Sequence, residues 1–181
     1  LSESGQLAAS YGRDQTLRLW NPIGGRELRQ MVVPGAALTG MCFDPAEQVL
    51  MGGRVDGRIT FWNTSTGSEV MKNNGASYPG GLNGISLTPG GGTLLIDGLD
   101  SKPRKQVQQW NVTDGKYKIG LLGVIDEMDA WKFSPDAKRV FGINRRSLTS
   151  VPSNTLTAWN ASNGALIKTY PQSGIISDYV V

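Results

Sequence analysis

The 181-residue chain contains no histidine and a single cysteine. Serine and cysteine triads that use an imidazole base are therefore excluded, as are the common zinc sites built on His and Cys ligands. An internal disulfide is impossible. The lone Cys42 sits inside the apolar alternation "LTGMCF" and reads as a small core residue, which points to a reducing, cytoplasmic setting. No apolar run approaches the roughly 18 residues that a membrane-crossing helix needs. Charge is also sparse, at 18% of residues, with a net of +3.

What is present is a repeat. Trp-Asn occurs at Trp20-Asn21, Trp62-Asn63, Trp110-Asn111 and Trp159-Asn160, at intervals of 42, 48 and 49 residues. A glycine follows five positions later each time, at Gly25, Gly67, Gly115 and Gly164, which suits a hairpin needing φ > 0. Upstream, Phe43-Asp-Pro, Leu87-Thr-Pro and Phe133-Ser-Pro each close an apolar alternation with a proline that presets a turn. A period of about 40 to 50 residues with such punctuation predicts units of four strands, the third ending on Trp.

In the stretch "FDPAEQVLMGGRVDGRITFWNTSTGSEV" and its counterparts, the chain resembles the WD-repeat β-propeller family, with Asn in place of the family's Asp after Trp. The resemblance implies an all-β propeller of four four-stranded antiparallel blades, with residues 1–181 forming one propeller region. It also implies a hydrogen-bonded set of His, Ser/Thr, Asp and Trp in each blade. Here His is absent, and Asp14 and Asp56 give way to Arg104 and Ser153 in the later units, so the set is expected to be broken and packing to carry the blades.

The ends suggest closure. "LSESGQLAAS" fits the turn after a first strand, while "GIISDYVV" has first-strand alternation, and joining them would bring Trp159 to Trp20 in 42 residues. The terminal strand, residues 175–181, is expected to complete the first blade by pairing beside Leu7, Ala8 and Ala9, within one chain or between two. Four blades make a narrow ring, so part of a larger ring is expected, with a homodimer as one way to complete it.

Two units carry insertions between their second and third strands, "DGLDSKPRKQ" and "NRRSLTSVPSNT". In the family resembled, such connections open on a face used for binding. Lys102, Arg104, Lys105, Arg145 and Arg146 fall in these two stretches and would form one basic cluster. Tyr78 in "NNGASYPGG" is either the nearest aromatic anchor or a tyrosine packed against its own unit.

The expected function is a noncatalytic interaction scaffold, not an enzyme, without cofactor or metal. Its partner would be a protein or peptide of acidic or phosphorylated character. Nucleic acid is disfavoured because no aromatics interleave with the cations. The rival is a carboxylate site at Asp126, Glu127 and Asp129 in "IDEMDAW", where an acid/base pair or a hard metal could sit. "TPGGGT" lacks the Lys-Ser/Thr of a phosphate loop and reads as a hairpin turn, and the Asn-X-Ser/Thr sequons at Asn63, Asn111 and Asn160 read as by-products of the same turn chemistry.

Overall fold

The computed structural model describes residues 1–72, 78–99, 105–112, 117–121, 128, 130–144 and 155–171. Among these the structure is all-β, with antiparallel pairing throughout and no helix. Sheet 1 holds β1 (Ala8–Tyr11), β2 (Thr16–Asn21) and β3 (Arg26–Val32). Sheet 2 holds β4 (Leu38–Phe43), β5 (Val49–Arg54), β6 (Ile59–Asn63) and β7 (Glu69–Lys72). Sheet 3 is β8 (Leu82–Leu87), β9 (Thr93–Leu99), β10 (Lys105–Asn111) and β11 (Tyr117–Gly120). Sheet 4 is β12 (Ala130–Phe133), β13 (Arg139–Asn144), β14 (Thr155–Asn160) and β15 (Leu166–Pro171). Each is a meander in chain order. Sheet 1 has three strands among the described residues, and the segment expected to supply its fourth, 175–181, lies outside them.

The repeat is visible at the level of hydrogen bonds. In all four sheets the ladder slips by one residue just before the Trp, between Leu19/Trp20, Phe61/Trp62, Gln109/Trp110 and Ala158/Trp159. The residue left out on the facing strand is Leu28, Val70, Lys118 or Ile167. Such a bulge tightens the local right-handed twist. Past the Trp, the Asn side chain closes the hairpin: Asn63 Oδ1 accepts from the amides of Ser65 (3.0 Å) and Thr66 (2.8 Å), and Asn160 Oδ1 from that of Ser162 (2.8 Å). Asn is thus chosen for the turn it caps. Gly25, Gly67 and Gly164 take φ of 62°, 75° and 69°, as the five-residue offset requires.

Side-chain alternation sends neighbouring residues of one strand into different cores. On β5, Leu50 joins Leu17, Leu19, Met31, Val33 and Trp62 between sheets 1 and 2, while the next residue, Met51, joins Phe61, Leu82, Leu94 and Ile96 between sheets 2 and 3. On β9, Leu95 turns the other way, to Val107, Phe133, Val140 and Trp159 between sheets 3 and 4. Three separate cores therefore link the sheets in sequence. Trp62, Trp110 and Trp159 each lie on the core shared with the preceding sheet. Trp20 and Trp110 are half-buried and Trp159 is fully enclosed, and no described sheet precedes sheet 1.

Candidate functional site

The connections between second and third strands all leave from one end of the sheets. In sheet 1 this is a tight turn in which Asp14 Oδ1 accepts from the Thr16 hydroxyl (2.8 Å) and amide (3.2 Å). These hydroxyl and amide bonds, with nearby Arg18, hold the Asp14 carboxyl below its ordinary value of 3.8. In sheet 2, Asp56 Oδ1 accepts from the Arg58 amide at 3.2 Å, and Gly57 supplies a φ of 85°. Arg54 beside it is a buried structural cation. Its Nε donates to Thr60 Oγ1 (3.0 Å), and one terminal nitrogen donates to the carbonyls of Pro34 (3.1 Å) and Ala36 (3.2 Å), pinning the crossing from sheet 1 to sheet 2. An arginine's fork of donors suits this better than a lysine would.

The two longer connections begin at equivalent strand ends. Leu99 pairs with Lys105 and Asn144 with Thr155, so the inserted segments of sheets 3 and 4 spring from the same side. Of the cations expected there, Lys105 opens β10 by its backbone, while Lys102, Arg104, Arg145 and Arg146 lie outside the described residues. Asp126, Glu127 and Asp129 also lie outside them. Among the described residues no three His, Cys, Asp or Glu side chains converge as metal ligands.

Tyr78 packs inward. It is 3% exposed, in the core between sheets 2 and 3, and its hydroxyl donates to Gln108 Oε1 (2.8 Å) and accepts from Trp110 Nε1 (3.3 Å). Room for the ring comes from Gly98, where a Cβ would lie 2.5 Å from Tyr78 Cδ1. A ring held in this way has no face for a partner, so the packing alternative describes Tyr78 and the anchor does not. Cys42 is equally unsuited to chemistry. The residue is partly buried, and desolvation of its sulfur pushes the thiol up to about 12.

The expected Ser/Trp hydrogen bonding is not lost everywhere. Trp20 Nε1 donates to Ser10 Oγ at 2.9 Å, so sheet 1 keeps this part of the set. At the matching position sheet 2 has Gly52, where a Cβ would fall 2.7 Å from the Trp62 ring, so the hydroxyl is exchanged for closer packing.

Trp131 is out of phase with Trp-Asn, and Asp97, expected at the start of the inserted connection "DGLDSKPRKQ", lies instead within β9, as Lys105 and Gln106 lie within β10. Asp97 is buried on β9 and accepts from Asn83 Nδ2 (3.3 Å) and Trp131 Nε1 (3.1 Å). With Ser86, Ile85 and Ala130 these residues border a cavity of about 120 Å³ between β8 and β12. The only signal in the sequence was a lone acid, "LLIDGL", inside an otherwise apolar strand.

No family model matches the chain, and no curated protein matches it. Among solved structures it is similar to the computationally designed Ika8 protein, with a TM-score of 0.68 and 18% identity. The likeness is one of fold. It covers 94% of this chain and 48% of the designed one, so the chain spans about half the length of the structure it matches.

Proposed function

We propose that the four sheets are blades of a WD-like propeller and that the protein is a noncatalytic interaction scaffold with its binding face at the end where the long connections emerge. The observation that carries this reading is the shared origin of those connections, from the strand ends Leu99/Lys105 and Asn144/Thr155 of adjacent sheets. On this reading Lys102, Arg104, Arg145 and Arg146, which lie outside the described residues, would stand on one side with Lys105 at the start of β10. In the short connections the acids Asp14 and Asp56 accept from the turns themselves. Such a cluster of cations suits an acidic or phosphorylated peptide.

The test is binding of acidic and phosphorylated peptides to the native chain and to a variant with all five cations replaced by Gln. Loss of affinity in the variant, together with a strong salt dependence in the native chain, is expected. Equal affinity in both overturns the reading.

Ring completion is part of the same proposal. Trp62, Trp110 and Trp159 each face a preceding sheet and Trp20 has none among the described residues, which favours a further sheet against the Trp20 face. A second copy would supply one, and the match to about half of a longer protein accords with that. Solution mass tests it: a dimer dissociated by Trp20→Glu supports two copies per ring, and a monomer at all concentrations removes this element.

A further inference from the structure

The opposite end of the sheets, where the Trp-Asn hairpins and the Pro turns lie, carries a groove between each successive pair. Between sheets 1 and 2 it is filled. Arg29 and Met31 reach so close to Gly67 that a Cβ there would lie 2.7 Å from Arg29 Cδ, and the guanidinium donates to the carbonyls of Ser65 and Thr66. Between sheets 2 and 3 the groove is open and mostly apolar, about 400 Å³, lined by Val49, Phe61, Val70 and Val112 with Asp44 among its border residues. Between sheets 3 and 4 the same four positions are Thr93, Gln109, Lys118 and Ala161, and the groove, about 540 Å³, also takes in Lys138. The construction is common to both, but the chemistry is inverted.

We propose that this third groove binds a phosphoryl-type oxyanion. Lys118 occupies the bulge position, and its ammonium donates to Thr93 Oγ1 at 2.8 Å, which leaves two N–H groups for a ligand. Lys138 stands on the facing turn and forms no ion pair among the described residues. Gly90 and Gly92 border the same space, and their amides are not used in the turn, which closes through Gly91 N to Thr88 O (2.8 Å). No carboxylate lines the groove. The nearest acid on that turn, Asp136, is engaged with the Ser134 hydroxyl (2.6 Å) and the Lys138 amide (3.0 Å). Gln109 holds the far wall in place by donating to the Ala161 carbonyl at 2.9 Å. Two cations around a space without an acid select an anion, and the size exceeds that of bare phosphate, leaving room for the group that carries it. The inference stands apart from the basic connections, which lie at the other end of the sheets.

The experiment is an NMR titration of the native chain with inorganic phosphate, then capped phosphoserine, then chloride at matched ionic strength, following the Gly90 and Gly92 amides. Saturable shifts with phosphate and none with chloride are expected, and Lys118→Gln with Lys138→Gln should weaken binding roughly tenfold or more. Both lysines are exposed, so the variant should keep the native amide spectrum elsewhere. Binding of phosphate with capped phosphoserine marks a phosphorylated side chain as the source; binding of phosphate alone marks a free phosphate compound. Absence of shifts at these glycines, equal shifts with chloride, or unchanged affinity in the double variant overturns the proposal.

Discussion

Trp131 Nε1 donates to Asp97 Oδ2 across 3.1 Å, joining the first strand of sheet 4 to the second strand of sheet 3. The same indole packs on Trp159, with ring centroids 5.2 Å apart and planes at 48°. Both rings crowd Gly142, where a Cβ would lie 2.8 Å from the Trp131 ring and 3.0 Å from that of Trp159. The carboxylate thus ties sheet 4 to sheet 3, while the missing side chain at Gly142 makes room for two rings of sheet 4.

Removing that acceptor should therefore be costly. Asp97→Ala removes a buried acceptor that the Asn83 amide and the Trp131 indole now share, and should destabilise by about 1 to 3 kcal/mol. Asp97→Asn keeps an acceptor oxygen and should cost less. Urea unfolding of the two variants gives the order, and equal losses would mean that the bond to Trp131 contributes little.

The four repeat tryptophans should differ in weight although they share a sequence context. Trp159→Ala removes a fully enclosed ring and should cost about 3 to 5 kcal/mol, with Trp62→Ala close behind. Trp20→Ala should cost visibly less, because that ring is only half-buried and has no described sheet on its outer side. A loss at Trp20 matching that at Trp159 in a dimeric sample would instead indicate that a second copy covers it.

Much of the fold was legible because the sequence writes the Trp-Asn pair and the glycine five residues on four times in phase. The first-to-second-strand turn was legible too, from Asp44-Pro, Thr88-Pro and Ser134-Pro. What could not be read were contacts between sheets, since those depend on pairs such as Asp97 with Trp131 and Tyr78 with Gln108 that are remote in sequence and unique to one unit. Tyr78 was ambiguous for the same reason. Its surroundings, "NNGASYPGG", spell a loop, and only Gly98 on a different strand makes the pocket that takes the ring. Lys118 escaped notice because the bulge that sets it beside Thr93 is a feature of pairing, not of composition.

The turn after the first strand offers a comparison within one molecule. Glu47, Gly91 and Ala137 are equivalent, each in a left-handed conformation, with φ of 58°, 76° and 55°. Gly91→Ala adds backbone strain of about 1 to 2 kcal/mol and also a contact at 2.4 Å with Pro45 Cδ, so it should be clearly destabilising. Ala137→Gly relieves similar strain but gives back about 0.5 to 1 kcal/mol of chain entropy, leaving a net change within about 1 kcal/mol. Thermal unfolding of both variants checks the contrast, and a tolerated Gly91→Ala would mean that the turn shifts away from Pro45.

The acids of these turns predict how the protein responds to acid. Asp136 lies below its ordinary value of 3.8, chiefly through the Ser134 hydroxyl and then the Lys138 amide, while Asp14 is lowered by the Thr16 hydroxyl and amide and Glu47 by its bonds to Ser4 and Ser2. Each folded pKa is depressed relative to the unfolded chain, so the stabilisation is complete above the ordinary carboxylate range and is lost as pH falls through the folded values. These groups should leave stability unchanged around neutrality and lower it below about pH 4. Ser134→Ala should move the Asp136 titration upward, part of the way back to 3.8, because the Lys138 amide and the charges of Lys138 and Arg139 remain. Carboxyl-carbon NMR titration reads the midpoint directly. An Asp136 midpoint that stays put in the Ser134→Ala variant would transfer the cause to those neighbouring charges, and added salt would then shift it where the hydroxyl could not.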